Sequence, residues 1–192
     1  TFTLRLPRQH DAGALADACA HQLVIDPEVR MRLLEETDPL VRVRVVVAEI
    51  SVANGARVDH YKLQRESAEA YHVGTVQVTQ GRDSIYHSFS FAEGAALSRT
   101  NVYTKLAGTG SEARLNGLYV LDGAQHADHQ TFVEHLAEAC ASRELYKGIL
   151  DGESHGVFNG KVYVDPVAQR TDGKQTNKAL ILSEKARVDT KP

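Results

Sequence analysis

Tryptophan is absent from these 192 residues, methionine occurs once and cysteine twice. Cys19 and Cys140 lie far apart, so neither a disulfide framework nor a four-thiolate metal site can be built within the chain. No apolar run approaches the roughly 18 residues that a membrane-spanning helix needs. No basic-then-apolar leader and no Asn-x-Ser/Thr sequon occur. Positive charge is not in excess either: 22 Lys and Arg face 25 Asp and Glu, a net charge of −3, which argues against nucleic-acid binding by bulk charge. The expectation is a soluble, cytoplasmic protein of a reducing compartment, with neither membrane nor nucleic acid as partner. The first residue is Thr1 and the last two are Lys191-Pro192, so the chain is expected to be trimmed or part of something longer.

What is present is ordinary folded-protein composition, 42% apolar and 24% charged. The pattern divides the chain at about residue 40. In residues 1–40, Leu15, Cys19 and Leu23 recur every four positions along an alanine-rich stretch, which predicts a helix. Asp26-Pro27 reads as an N-cap and first turn, and Glu28 to Glu36 as a second short helix ending at Asp38-Pro39. Over 41–192 the period becomes two. Val41, Val43, Val45 and Val47 alternate with arginines. Ile85, His87, Phe89 and Phe91 alternate with Ser84, Tyr86, Ser88 and Ser90; Leu118 with Val120, Val162 with Val164, and Leu180 with Leu182 repeat the parity. These predict strands with one face buried.

Turn residues are regular too. Asn-Gly stands at 54–55, 116–117 and 159–160, and Asp-Gly at 122–123, 151–152 and 172–173. Gly55, Gly81, Gly94, Gly108, Gly123 and Gly152 are spaced by 26, 13, 14, 15 and 29 residues, a loose period of 13–15 or its double. Two architectures fit: an antiparallel meander with a primed hairpin turn at each such dipeptide, or a parallel β-helix with glycines at the corners of stacked coils. Turn chemistry favours the meander; periodicity cannot separate the two.

The second half carries a set of short motifs in order: His126-Ala127-Asp128-His129-Gln130-Thr131, Ser142-Arg143-Glu144-Leu145-Tyr146-Lys147-Gly148, Gly156-Val157-Phe158-Asn159-Gly160-Lys161, Ala168-Gln169-Arg170-Thr171-Asp172, Gln175-Thr176-Asn177 and Val188-Asp189-Thr190-Lys191-Pro192. This run resembles the core of the SufB/SufD family, the scaffold subunits of the Suf iron–sulfur cluster assembly system. Residues 55–81, with Ala56-Arg57-Val58-Asp59-His60-Tyr61 and Tyr71-His72-Val73-Gly74, are similar to the family's earlier coils. The resemblance implies an all-β fold: a right-handed parallel β-helix core over 41–192, preceded by the short α-helical segment 1–40. It implies the SufD branch, because the cysteine that the SufB branch carries near Tyr103 to Lys105 is missing. It implies as partners a SufB homologue and the SufC ATPase, the latter through a C-terminal part missing here, along with a Cys-x-His-Gly motif; a homodimer is a further expectation. No cofactor is expected on this chain alone, with iron or a cluster only in the full complex.

No catalytic, cofactor-binding or metal residue is nominated, and no enzyme activity is expected. His126, His129, His135 and Cys140 tempt a metal reading, since imidazole and thiolate suit zinc or iron. Yet 126 and 129 point to opposite faces of a strand, and 129 and 135 lie roughly 20 Å apart at strand rise. Stacking on counterparts in neighbouring coils is the better reading. Phe132, Leu136 and Cys140 are spaced for a helix, but the family pattern makes 131–135 a strand. Gly156 to Lys161 fails the phosphate-loop pattern twice, with His155 five before Gly160 and Val162 after the lysine. The pairs Asp122 with Asp128 and Asp151 with Glu153 read as turn residues rather than a glycosidase dyad. Arg42, Arg44, Lys161, Arg170, Lys174 and Lys178 read as solvated surface. The alternatives are a carbohydrate-active β-helix enzyme and a structural repeat domain without chemistry.

Overall fold

A computed structural model describes residues 44–191, and the helices expected over 1–40 lie outside them. Eleven strands follow one another: β1 (Arg44–Val52), β2 (Arg57–Gln64), β3 (Tyr71–Gln80), β4 (Ile85–Glu93), β5 (Leu97–Leu106), β6 (Glu112–Leu121), β7 (His126–His135), β8 (Ala141–Leu150), β9 (His155–Val164), β10 (Asp172–Ile181) and β11 (Arg187–Lys191). Odd-numbered strands form one sheet, in the order β1-β3-β5-β7-β9-β11; even-numbered strands form the other, in the order β10-β8-β6-β4-β2. Every pairing is parallel. The chain is therefore an all-β parallel solenoid of about five turns.

Each coil contributes one strand to each sheet. Register advances by 28 residues from Arg44 to His72, 26 from Tyr71 to Leu97, 29 from Leu97 to His126 and 32 from His155 to Arg187. The glycine spacing of 13–15 is thus half a coil. The hairpin reading fails, and the reason is visible at the dipeptides themselves. Asn54-Gly55, Asp122-Gly123 and Asp151-Gly152 do turn the chain, but between the two sheets, with Gly123 at φ +59°. Asn116-Gly117 and Asn159-Gly160 lie inside β6 and β9. Gly117 is there for space: a Cβ on it would sit 2.4 Å from the Tyr146 ring of the next coil.

Burial parity departs from expectation. In β1 the residues packed on the core are Ala48, Ile50 and Val52, while Val46 and Val47 are both exposed and Val45 is half-buried. In β4 the buried side chains are Tyr86, Ser90 and Ala92, whereas Phe89 lies outside; in β6 they are Tyr119 and Leu121, not Leu118 and Val120. Leu180 faces out of β10 as well. Val162 packs against the core as anticipated, whereas Val164, two residues on, is exposed; Val41 and Val43 lie outside the described residues. Pairing register, which a one-residue slip would invert, fixes these faces. Residues 131–135 are strand, as the family pattern implies, and Phe132 points outward with Lys161 Nζ 5.0 Å above its ring.

Candidate functional site

The four residues of the metal reading go to four different environments. His126 faces outward, its ring 4.7 Å from that of His155, its partner in register on the next coil, so stacking on a counterpart holds there. His129 faces inward and is 1% exposed, lying between Tyr119 (5.1 Å) and Tyr146 (5.3 Å) of the opposite sheet. Its stacking partners are thus tyrosines across the interior, not residues above and below it. His135, also inward, places Nε2 2.9 Å from Ser142 Oγ. Cys140 is buried in the turn after β7, its Sγ 3.3 Å from Ser111 Oγ and 3.4 Å from the Gly108 carbonyl. Among the described residues, no group of three or more His, Cys, Asp or Glu side chains could hold a metal ion.

The interior around His129 is polar along a line crossing several coils. Lys62 on β2 donates to Thr100 Oγ1 at 2.8 Å, and Thr100 is in register with His129. Two residues on, Thr131 is inward, and Glu144 on β8 accepts from Gln175 Nε2 at 2.8 Å. Burial pushes the Glu144 carboxyl up, against hydrogen bonds from Thr131 and Gln175. Burial, with the Lys62 charge adding to it, drives the His129 imidazole down to about 3, so the ring is neutral. Neither ring nitrogen of His129 has a hydrogen-bond partner among the described residues. Near the first coil, His72 Nδ1 lies 2.8 Å from Glu66 Oε1, and Gln64 donates to the other oxygen. Burial disfavours that carboxylate, but the Gln64 hydrogen bond and the His72 charge outweigh it and hold Glu66 below the usual range.

The outer face of the even-numbered sheet mixes exposed ion pairs (Arg57 with Asp59, Arg114 with Glu112, Arg143 with Asp172) with a short apolar column that follows from the inverted parity. Tyr61, Phe89 and Leu145 share one column of that face, interrupted by Asn116, and all three are exposed. Leu63 lies beside Tyr61 and is 68% exposed. At the last coil Val164, Leu180, Ile181 and Leu182 are exposed too, although Ile181 is in register with the fully buried Leu150. Exposed apolar side chains gathered in this way are a surface that another surface can cover.

The carboxylate pairs do not form a catalytic groove. Asp122 and Asp151 each accept from the next backbone N–H of their own turn. Asp128 is not in a turn, as the sequence suggested, but on β7, paired with Arg99 at 2.8 Å. Arg170 pairs with Glu138 at 2.7 Å across exposed turns. Sequence reasoning missed Lys62, Glu66, Glu144 and the outer column. The one available signal was Lys62 standing in a His60-Lys62-Gln64 alternation whose opposite parity holds Tyr61 and Leu63; hydropathy reads that strand inside out.

Comparison with known proteins adds an independent line. The family model described as "SUF system FeS cluster assembly, SufBD core domain" matches residues 10–192. An iron-sulfur cluster assembly SufBD family protein of Synechocystis is 35% identical over 147 residues, covering 77% of this chain and 32% of that protein. The iron-sulfur cluster assembly protein SufD of Escherichia coli is 36% identical over 143 residues, 74% of this chain and 34% of its own length. SufD of Bacillus subtilis is 25% identical over 150 residues, 77% and 34% respectively. The chain spans about a third of the length of the curated relatives it matches.

Proposed function

This chain belongs to the SufBD core family of iron–sulfur cluster assembly proteins, in its SufD branch, and from that membership we propose that it is a scaffold segment of an assembly machine. It provides a rigid stack of coils on which partners dock, and it carries out no bond-making of its own. The observation that carries this reading is the apolar outer column Tyr61-Phe89-Leu145, held on a rigid sheet and left exposed. Cys140 supports it from the other side: its thiol is enclosed by Ser111 and two carbonyls and presents no sulfur-accepting group to solvent. The partners of this reading are a SufB homologue and the SufC ATPase, and its compartment is the cytoplasm. Iron or a cluster is cargo of the complete complex. Right-handed winding of the coils and helices over 1–40 belong to the same proposal.

The test is co-purification of the 192-residue chain with SufB and SufC homologues, followed by light scattering. The reading expects a stable complex with SufB and no ATP hydrolysis by the chain alone. Phe89→Glu with Leu145→Glu should weaken capture at least about tenfold. It should shift thermal unfolding less than the same changes at core positions, because Phe89 and Leu145 are 39% and 37% exposed. No association of the wild-type chain with SufB, or undiminished capture by the double variant, would reject the reading.

A further inference from the structure

Strands β1, β2 and β3 enclose a pocket of about 300 Å³ at the first coil. Val46, Ala48 and Val76 form an apolar wall; Lys62, His60 and Glu66 supply the polar side. Lys62 reaches inward across the coil, and its position depends on Gly74 of the opposite sheet. A Cβ at Gly74 would come 2.6 Å from Lys62 Nζ, so the ammonium occupies the space that a side chain would fill. Thr100 Oγ1 takes one of its three N–H bonds at 2.8 Å. Among the described residues no carboxylate forms an ion pair with Lys62; the pocket's own carboxylate, Glu66, is engaged by His72 and Gln64.

An ammonium largely removed from water is costly to keep charged, and such groups are ordinarily paired or ligated; among the described residues the Glu66 carboxylate acts on Lys62 only from beyond ion-pair distance. The pocket thus sets the Lys62 ammonium, with one hydrogen bond to Thr100, beside an aliphatic surface. A dianion would be opposed by the neighbouring Glu66, and a purely inorganic ion would leave the apolar wall unused. We propose that this pocket binds a small aliphatic monocarboxylate, its carboxylate on Lys62 Nζ and its hydrocarbon part against Val46, Ala48 and Val76. Burial holds the Lys62 ammonium down at about 8, with the Glu66 charge pulling the other way, and a bound carboxylate raises it. The other titratable groups facing it are His60 and His72 on β2 and β3, Tyr86 on β4, which lies 2.9 Å from His60 Nδ1, and the neutral His129 on β7. Burial depresses His60, so it adds no strong competing cation at neutral pH.

Isobutyrate is the probe, titrated calorimetrically into the 192-residue chain, with isobutyramide and sulfate as controls. Isobutyrate binds, and both controls bind at least about tenfold more weakly. Affinity falls about tenfold or more between about pH 7 and about pH 9.5 as Lys62 loses its proton. Lys62→Met abolishes binding, whereas Lys62→Arg keeps a measurable part of it. Should either variant fold poorly, the wild-type Lys62 side-chain resonance followed against pH provides the second readout: isobutyrate moves its midpoint upward. Equal binding of the amide, equal binding of sulfate, unaltered affinity in Lys62→Met, or a Lys62 midpoint that isobutyrate does not move would each overturn the proposal.

Discussion

Between the rings of Tyr119 and Tyr146, an imidazole gains packing and forfeits every hydrogen bond it could make. His129 is neutral in the fold at any pH above about 3, whereas the unfolded chain protonates it at its ordinary value of 6.5. The unfolded state therefore binds the extra proton over that interval, and stability falls as pH drops from about 6.5 towards 3. His129→Phe keeps the ring and removes both unpartnered nitrogens. Urea unfolding should find the variant about 1–3 kcal/mol more stable at neutral pH, with a shallower loss on acidification. A less stable variant with an unchanged acid limb would mean that the imidazole has a partner in solution. Strand parity sets His126 and His129 on opposite faces, but nothing in the local sequence says which face is the interior or that tyrosines 10 and 17 residues away stand across it from His129.

Turns between strands are where coils approach most closely, and two glycines there separate two kinds of constraint. Gly123 has φ +59° and open space around a hypothetical Cβ, so Gly123→Ala costs only left-handed strain, about 1 kcal/mol. At Gly108 the obstacle is backbone: a Cβ would lie 2.1 Å from Arg82 N in the preceding coil. Gly108→Ala should cost about 3 kcal/mol, measured by thermal unfolding of both variants side by side. The spacing of such glycines is why the coil length was legible, and the motif run from His126 onward is why the parallel winding was expected. Which face of each strand turns inward was not legible. In β2 and β4 the inner positions are Val58, His60, Lys62, Gln64, Tyr86, Ser88, Ser90 and Ala92, while Tyr61, Leu63, Phe89 and Phe91 point out. Hydropathic alternation assumes that the apolar side is the buried one; here some inward polar side chains find partners within the stack, as Lys62 does on Thr100 and Gln175 on Glu144, while others such as Ser90 and His129 have none among the described residues. The Lys62 pocket and the outer apolar column were hidden by the same reversal.

Each strand pairs only with the strand one coil before and one coil after, so stability is a sum of coil-to-coil interfaces. Coils in the middle have two such neighbours. Hydrogen exchange should therefore be slowest over β5 to β8 and progressively faster towards β1–β2 and β10–β11. Uniform exchange along the chain would show instead that the stack opens as one unit. Because all strands of a sheet advance in a common sense, the rod has a front and a back that are not interchangeable. Wherever such a rod meets an identical copy about a two-fold axis, like edge against like edge, the seam must join strands of opposed direction. Continuity of direction is available only front to back, a geometry that propagates without closing.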